Sequence, residues 1–569
     1  MSTLRPPGLG PVIGHTTSSS CRLWIRAGDP QDEGARLAAD RRTIGIIGLL
    51  DDDRTGFEAA YYFRLHREFD RTGTFTLGRD VSLGRHVTDG LDDEADRPVV
   101  LTPDTAYTAR LATLTIDDPL PDAQSLSSRD LAQRLPDVNR MAPQLLDLPA
   151  ESCEVDFRTF PPEADVADRL GFLLGSCRYP GLMWKVKKAD RIFGPMRAHF
   201  EPQDGRPAAR FSLMVGDQIY ADKLHRLVPV GRADSFEEFQ QRYIEAFGSP
   251  NMRRLLRTAP TYMILDDHEI EDNWTRDRMD EPGLHRLFNV AVGAYMSYQW
   301  SHGPRSFGRR LHYHFDCGGY PFFVLDTRTR RTLDDEGLED NHLLGHPAID
   351  PRHPGQLQQV LDWLRAQQEQ HGDVPKFIAS PSVFAPSPIR ERTTWNGKGK
   401  ALDPYDRKHN GRHRNRSDSW PAFPNTRSAL LECLLDHEIQ NVVFLTGDIH
   451  CSNIARLAFA KNDTPRDLRA YDITSSAFYW PFPFADGDPN GFVHDSTRDG
   501  QHDGFPVRDH VLHYRAWAFT QEDNFCRIDI DRAQACLTVR YYDRRGDPLP
   551  VGDETGGTAV ENSLPLAAW

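Results

Sequence analysis

Six apolar runs in the second half of the chain each end in polar, reactive side chains. FLLGSC ends at Cys177, and FSLMVGDQIY delivers Asp217 and Tyr220. TYMILDDHE delivers Asp266, Asp267 and His268, and FFVLDTR delivers Asp326 and Arg328. KFIASPS ends in Ser380 and Ser382, and NVVFLTGDIH delivers Asp448 and His450. Runs of this length, bounded by turn residues, read as buried strands. The middle of a buried strand holds an Asp only at high cost, whereas its end, where loops and solvent meet, does not. In open sheets the carboxyl ends of strands form the ligand-binding crevice. One strand-end Asp needs nothing more than a turn or helix start to cap. The whole set, with His268 and His450 following Asp at close spacing, predicts a shared rim of Cys, Asp, Tyr and His, the residue types that bind metals. Gly216 and Gly447 permit sharp turns just before Asp217 and Asp448.

A chain of 569 residues exceeds one core, and two domains, or three, are expected. Up to about residue 160 the texture is β-rich: CRLWIRA, YYFRLHREF, GTFTLG and AYTARLATLTI are short, aromatic or β-branched, and separated by turn-like stretches. This predicts a small sandwich. The interval from Asp117 to Pro149, rich in Asp, Pro and Ser, reads as an excursion or linker. ESCEVDFRTFPPE reads as a last strand with a proline stop, which puts a boundary near Val166. Beyond it, helical patterns alternate with the apolar runs. Ser235 opens one helix with a capping box and an apolar face of Phe236, Phe239, Tyr243 and Phe247; others cover 356–370 and 426–437. The fold class is therefore α+β with α/β-like layering: residues 1–165 a β-sandwich with linker, residues 166–569 the chemistry-bearing domain.

Several motifs carry a resemblance. GDQIYAD at 216–222, DDHEIEDNW at 266–274 and GDIH at 447–450, with GSC at 175–177, LDTR at 325–328 and DSWPAFPNTR at 418–427, resemble the motifs of PhoD-like phosphatases. That family, alkaline phosphatase D, is a branch of the metallophosphoesterase superfamily. GPVIGHTTSSSCRLWIRA near the start is similar to the family's N-terminal sandwich. The resemblance implies a four-layer αββα metallophosphoesterase domain after that sandwich. It implies metal-dependent hydrolysis of phosphomonoesters or phosphodiesters by a metal-activated hydroxide. By position, Asp217 would bridge two metals, and Cys177, Tyr220 and His450 would complete the first. Asp267 and Asp448, with Asn273, would hold the second, and His268 matches the acid of the superfamily's GNHE motif.

The donor types carry their own argument. A thiolate, a phenolate, a carboxylate and an imidazole suit a trivalent or soft-tolerant ion, and Fe(III) fits best. Asp217, Asp267, Asp448 and Asn273 offer only oxygen, which suits Ca(II) or Mg(II) better than zinc; Mn(II) and Zn(II) remain alternatives. A catalytic thiol at Cys177 is the weaker idea, because the strand-end carboxylates need a cation to offset their mutual repulsion. Arg178, beside Cys177, is the first candidate for a phosphate clamp and Arg328 the second, since a guanidinium grips phosphoryl oxygens bidentately. The alternatives are a nucleotide or phospholipid phosphodiesterase on the same fold, or a non-catalytic binding protein stabilised by metal.

Other signals exclude or mislead. A net charge of −15 argues against nucleic acid or an anionic membrane as partner; the resemblance implies a small phosphate ester as the partner. No P-loop or HExxH motif is present. The basic stretch Lys398–Arg416 reads as a solvated loop or a lid for anions. DHEIQN at 436–441 reads as a helix end and turn, and DGDPNG at 486–491 lacks the Glu that closes an EF-hand loop. Tyr479, Trp480, Phe482 and Phe484 either wall a substrate pocket or pack a proline-rich loop. No secretory signal or bilayer-length apolar run is seen, and the eight cysteines are scattered. A cytoplasmic location is expected, with export left open; the sequence sets no oligomeric state.

Overall fold

The computed structural model describes residues 3–28, 42–80, 89–91, 99–116, 127–181, 186–203, 205–222, 231–306, 310–333, 341–347, 354–385, 419–462, 464–482, 492–497 and 504–569. The basic stretch Lys398–Arg416, the DGDPNG segment and Phe484 lie outside these residues.

The first strands are Leu4–Arg5 (β1), Leu9–Thr16 (β2), Ser20–Arg26 (β3), Arg42–Leu50 (β4), Phe57–Arg64 (β5), Thr72–Gly78 (β6), Ala106–Ile116 (β7) and Glu154–Arg158 (β8). β2, β3 and β6 form one sheet; β1, β7, β4 and β5, with β8 also on β7, form another. Alternation decides what each face meets. In β4, Ile47 and Leu49 join Leu23, Ile25 and Phe75 of the other sheet in one apolar cluster. Ile44 and Ile46, one step out of phase, pack on Leu131, Met141 and Leu145 from the short helical turns that follow β7. Trp24, on the far face of β3, is fully buried in the largest cluster of the molecule and donates its indole N–H to the Ser297 carbonyl at 2.9 Å.

The six runs are strands as expected: Arg169–Gly175 (β9), Ser212–Val215 (β10), Thr261–Ile264 (β11), Tyr320–Val324 (β13, after the edge strand Tyr313–Cys317, β12), Lys376–Ser380 (β14) and Val442–Thr446 (β15). The remaining long strands are Ser452–Lys461 (β16), Thr464–Thr474 (β17), Phe505–Val507 (β18), His510–Thr520 (β19), Asn524–Asp531 (β20) and Cys536–Asp543 (β21). Two short ones, Val551–Gly552 (β22) and Thr558–Ala559 (β23), pair with each other, and Asn562–Pro565 (β24) ends the set. One sheet runs β11-β10-β9-β20-β21-β24 and a second runs β12-β13-β14-β15-β17-β16-β19-β18. β9, β10 and β11 are mutually parallel, and so are β13, β14, β15 and β17.

These runs are apolar throughout because both faces are covered. Along β15, Val443 and Leu445 join Leu173, Leu213 and Ile528 of the other sheet, while Val442 and Phe444 join Leu430, Leu434, Val360 and Leu364. Those last four belong to the helices Pro424–Asp436 and Gln356–His371. Pro424 opens its helix two residues before the expected start; a first-turn position loses nothing by lacking an N–H. The helix Phe236–Phe247 starts as expected, with Ser235 Oγ accepting the Glu238 N–H at 3.3 Å. DHEIQN closes the helix Pro424–Asp436 and turns into β15. No described helix is long and apolar enough to cross a membrane.

Candidate metal centre

The loops leaving β9, β10, β11 and β15 converge because two positions carry no side chain. A Cβ on Gly216 would lie 2.4 Å from Asp266 Cβ, and its φ of +101° belongs to glycine. A Cβ on Gly447 would meet the Ser176 Oγ at 2.5 Å and the Val215 carbonyl at 3.0 Å. The loops are then stitched together: the Cys177 N–H donates to the Gly216 carbonyl at 3.1 Å and the Arg178 N–H to the Asp217 carbonyl at 2.8 Å. Cys177, Asp217, Asn273, Asp448 and His450 all have φ between 53° and 70°. Left-handed backbone at so many non-glycine residues in one place is strain that the surrounding fold must hold, and such strain gathers at functional sites.

Three groups of donors result, each with its ligand atoms within 4.8 Å of one another: Cys177, Asp217 and His450; Asp217, Asp267 and His268; and Asp217, Asp266, Asp267 and Asp448. Asp217 belongs to all three. Tyr220 completes the first group: its hydroxyl donates to Asp217 Oδ2 at 3.2 Å and stands 3.3 Å from His450 Nε2. Asn273 joins through its backbone, whose N–H donates to Asp267 Oδ2 at 2.5 Å, while its side-chain amide turns to Asp272.

The chemistry of these groups fits a cation. Burial, then the nearby Asp217 and Asp448 charges, push the Cys177 thiol well above its usual range. Burial likewise raises the Tyr220 phenol, and it raises the Asp217 carboxyl with help from Asp267, Asp266 and Glu269. A positive ion among them supplies the charge that burial and like-charge crowding demand. Asp267 Oδ1 is buried and has no hydrogen-bond partner among the described residues. An acceptor left in that state is a cation ligand in waiting.

His268 is held on several sides. Its Nδ1 lies 2.7 Å from Asp222 Oδ1, its backbone N–H donates to Asp217 Oδ1 at 3.3 Å, and its ring stacks on Tyr220 at 4.2 Å. Burial opposes its charge, but Asp222, Asp267 and Asp217 outweigh burial and lift its pKa well above the usual value.

Two residues that sequence reasoning passed over organise the site. Asp222 closes the GDQIYAD motif and holds both His268 and the Asp272 N–H, the latter at 2.7 Å. Glu269 is fully buried, and its carboxylate gathers the N–H groups of Asp217 (3.0 Å), Gln218 (2.8 Å), Ile219 (3.4 Å) and Asp266 (2.7 Å), together with the Gln299 amide (3.3 Å). One side chain thus fixes the loops after β10 and β11 to each other. The signal was present, since both residues sit inside the motifs.

Arg178 stands apart from these donors. Its guanidinium is buried, donates to Ser249 Oγ at 3.1 Å and lies over the Phe193 ring at 5.7 Å, placing it among interior helices instead of among the donors. Arg328 is the arginine at the site, ion-paired with Asp266 and 3.4 Å from Asp448 Oδ2. The aromatic group also reaches the centre. Trp480 stacks on His450 at 3.5 Å, and Tyr179 packs edge-on against Tyr220, Trp480 and Phe482.

Fold and site together define a protein that gathers cation ligands along one rim of two packed sheets. The chain belongs to the PhoD-like phosphatase family, whose model matches residues 189–481. It is 25% identical over 229 residues to alkaline phosphatase D of Bacillus subtilis (strain 168), a match covering 38% of this chain and 36% of that protein. The chain thus matches little more than a third of that relative's length. A solved structure described as "Structure of PhoD" superposes with a TM-score of 0.59 at 16% identity, over 97% of this chain and 94% of that one, which is a likeness of fold.

Proposed function

We propose that this protein hydrolyses phosphate esters, mono- or diesters of small molecules, with cations held by Cys177, Asp217, Tyr220 and His450 and by Asp217, Asp267, Asp448 and Asn273. The observation that carries this is the single carboxylate of Asp217 shared by all three donor groups, with His268 beside it, its backbone N–H donating to Asp217 Oδ1 at 3.3 Å. The mixed thiolate, phenolate and imidazole set supports Fe(III), and the oxygen set supports Ca(II) ahead of Mg(II), Mn(II) or Zn(II). Bound cations would supply Lewis acidity toward a phosphoryl oxygen and an attacking water.

The chain's own residues do the rest. Asp222 holds His268 through Nδ1, and the Nε2 side of the ring, 4.0 Å from Asp272 Oδ1, is offered to the leaving oxygen as the phosphorus–oxygen bond breaks. Tyr220 limits the tilt of that ring by stacking. Glu269 keeps the Asp217 and Asp266 loops in register, so donor and ligands stay in one geometry.

We read residues 1–165 as a β-sandwich and 166–569 as a four-layer αββα catalytic domain. The apolar cluster shared by the two N-terminal sheets supports the first, and helices on the outer face of the β12–β19 sheet support the second. A cytoplasmic location is supported by eight buried cysteines, none of them in a disulfide among the described residues. The decisive experiment is elemental analysis of chelator-free protein alongside hydrolysis of nitrophenyl phosphate and its diester. Stoichiometric metal with turnover is expected; metal-free protein without turnover on either ester overturns the reading.

A further inference from the structure

Of the four carboxylates in the oxygen-rich group, Asp266 is the one gripped by both arms of an arginine fork. Asp266 is fully buried, receives the forked Nε and Nη2 of Arg328, the latter at 3.2 Å, and caps the turn that begins at Asp267. The same Nη2 stands 3.4 Å from Asp448 Oδ2 and 3.7 Å from Asp267 Oδ1. One nitrogen therefore faces carboxylates delivered by two different sheets.

Arg328 cannot swing away. Its side chain is wholly inaccessible to solvent. Its loop is folded by Asp326, which accepts the N–H groups of Arg328 at 3.2 Å and Thr329 at 2.8 Å. Gln356, in turn, bonds both the N–H and the carbonyl of Asp326 at 2.8 Å. A planar, permanently charged fork held this way sets direction as well as charge.

We propose that Arg328 is a positioning residue for the oxygen-rich cation set. It aims Asp267 and Asp448 at a common point, and Asp266 serves as its fixed counterion and not as a ligand. This rests on the metal-binding reading above. Groups that orient metal ligands from behind typically change metal affinity by about 10–100-fold when altered. A bare positive charge would act in the opposite sense, since removing it should draw a cation in more tightly.

The test is titration of chelator-treated full-length protein with Ca²⁺ alone, read by calorimetry and by thermal unfolding with and without Ca²⁺. Variants are Arg328→Lys, which keeps the charge and loses the fork, and the charge-balanced double variant Asp266→Asn/Arg328→Gln. Both should bind Ca²⁺ about 10–100-fold more weakly than the parent. Unchanged or tighter binding in either folded variant overturns the proposal. If the parent itself binds no Ca²⁺, the metal reading of this set has failed, a different result from parental binding with indifferent variants. Should neither variant fold, phenylglyoxal mapping of the parent decides. Arg328 should stay unmodified with and without Ca²⁺, and its modification in the Ca²⁺-free protein would show that the fork is not held.

Discussion

Asp222 and His268 are joined carboxylate to imidazole, Oδ1 to Nδ1, at 2.7 Å, across 46 residues of chain. Asp222 spends its other oxygen on the Asp272 N–H, so it is itself aimed. His268 is thus oriented before any substrate arrives, by Asp222 at its ring and by Asp217 at its backbone N–H. Replacing His268 by Ala should leave metal content intact and slow turnover by about 10²–10⁴-fold, the usual range for an acid–base group. Asp222→Asn should lower kcat and move its alkaline limb to lower pH, because the strongest raising influence on the imidazole is gone. Steady-state kinetics across pH, with metal analysis of each variant, check both.

Asp217 is common to every donor group, so Asp217→Asn should remove metal and activity together. Elemental analysis of the purified variant is the measurement. A variant that keeps full metal and full activity would place the centre elsewhere.

Glu269→Gln tests the anchor. An amide offers only one accepting atom where the carboxylate offers two, and the two oxygens here serve five donors. Some of these buried N–H groups must then face an NH₂ group without an acceptor, at about 1–3 kcal/mol each. Chemical unfolding should show that loss, and metal retention should fall with it, although Glu269 is not proposed to touch metal.

Asp472 gives a pH signature away from the centre. Its carboxyl accepts the Phe384 and Ala385 N–H groups and the Thr446 hydroxyl, yet burial outweighs these bonds and lifts it to about 7. A carboxyl whose folded pKa exceeds its unfolded one holds its proton in the fold while the unfolded chain releases it. Its contribution to stability therefore falls as pH rises from about 4 to about 7 and is level above that. Asp472→Asn, which keeps the shape and an acceptor, should lose less stability over that interval than the parent. Denaturant unfolding at several pH values measures the difference.

How much of this was legible in the sequence depended on distance along the chain. Cys177, Asp217, Asp267, Asp448 and His450 stand at the ends of apolar runs, where burial and turn chemistry are written locally. Ser235 announces its helix for the same reason. Arg178 shows that adjacency is a poor guide to side-chain placement beside a left-handed residue. Cys177 at φ +56° sends the next side chain elsewhere, while Arg328 arrives from a distant strand. The bonds from Glu269 to Asp217 span 52 residues and need two loops already in contact, which no local pattern records. Strands β20 and β21 also end in Asp, at Asp531 and Asp543, yet β20 pairs with the far-upstream β9, a neighbour no local pattern records.

Cys177 and Asp217 hang from one sheet, and Asp448 and His450 from the other. Whatever sits between them is therefore a clasp across the seam of the molecule as well as a reagent. Emptying it should loosen that edge first, so amide protection at the strand ends becomes a gauge of occupancy while the distant hairpins stay indifferent.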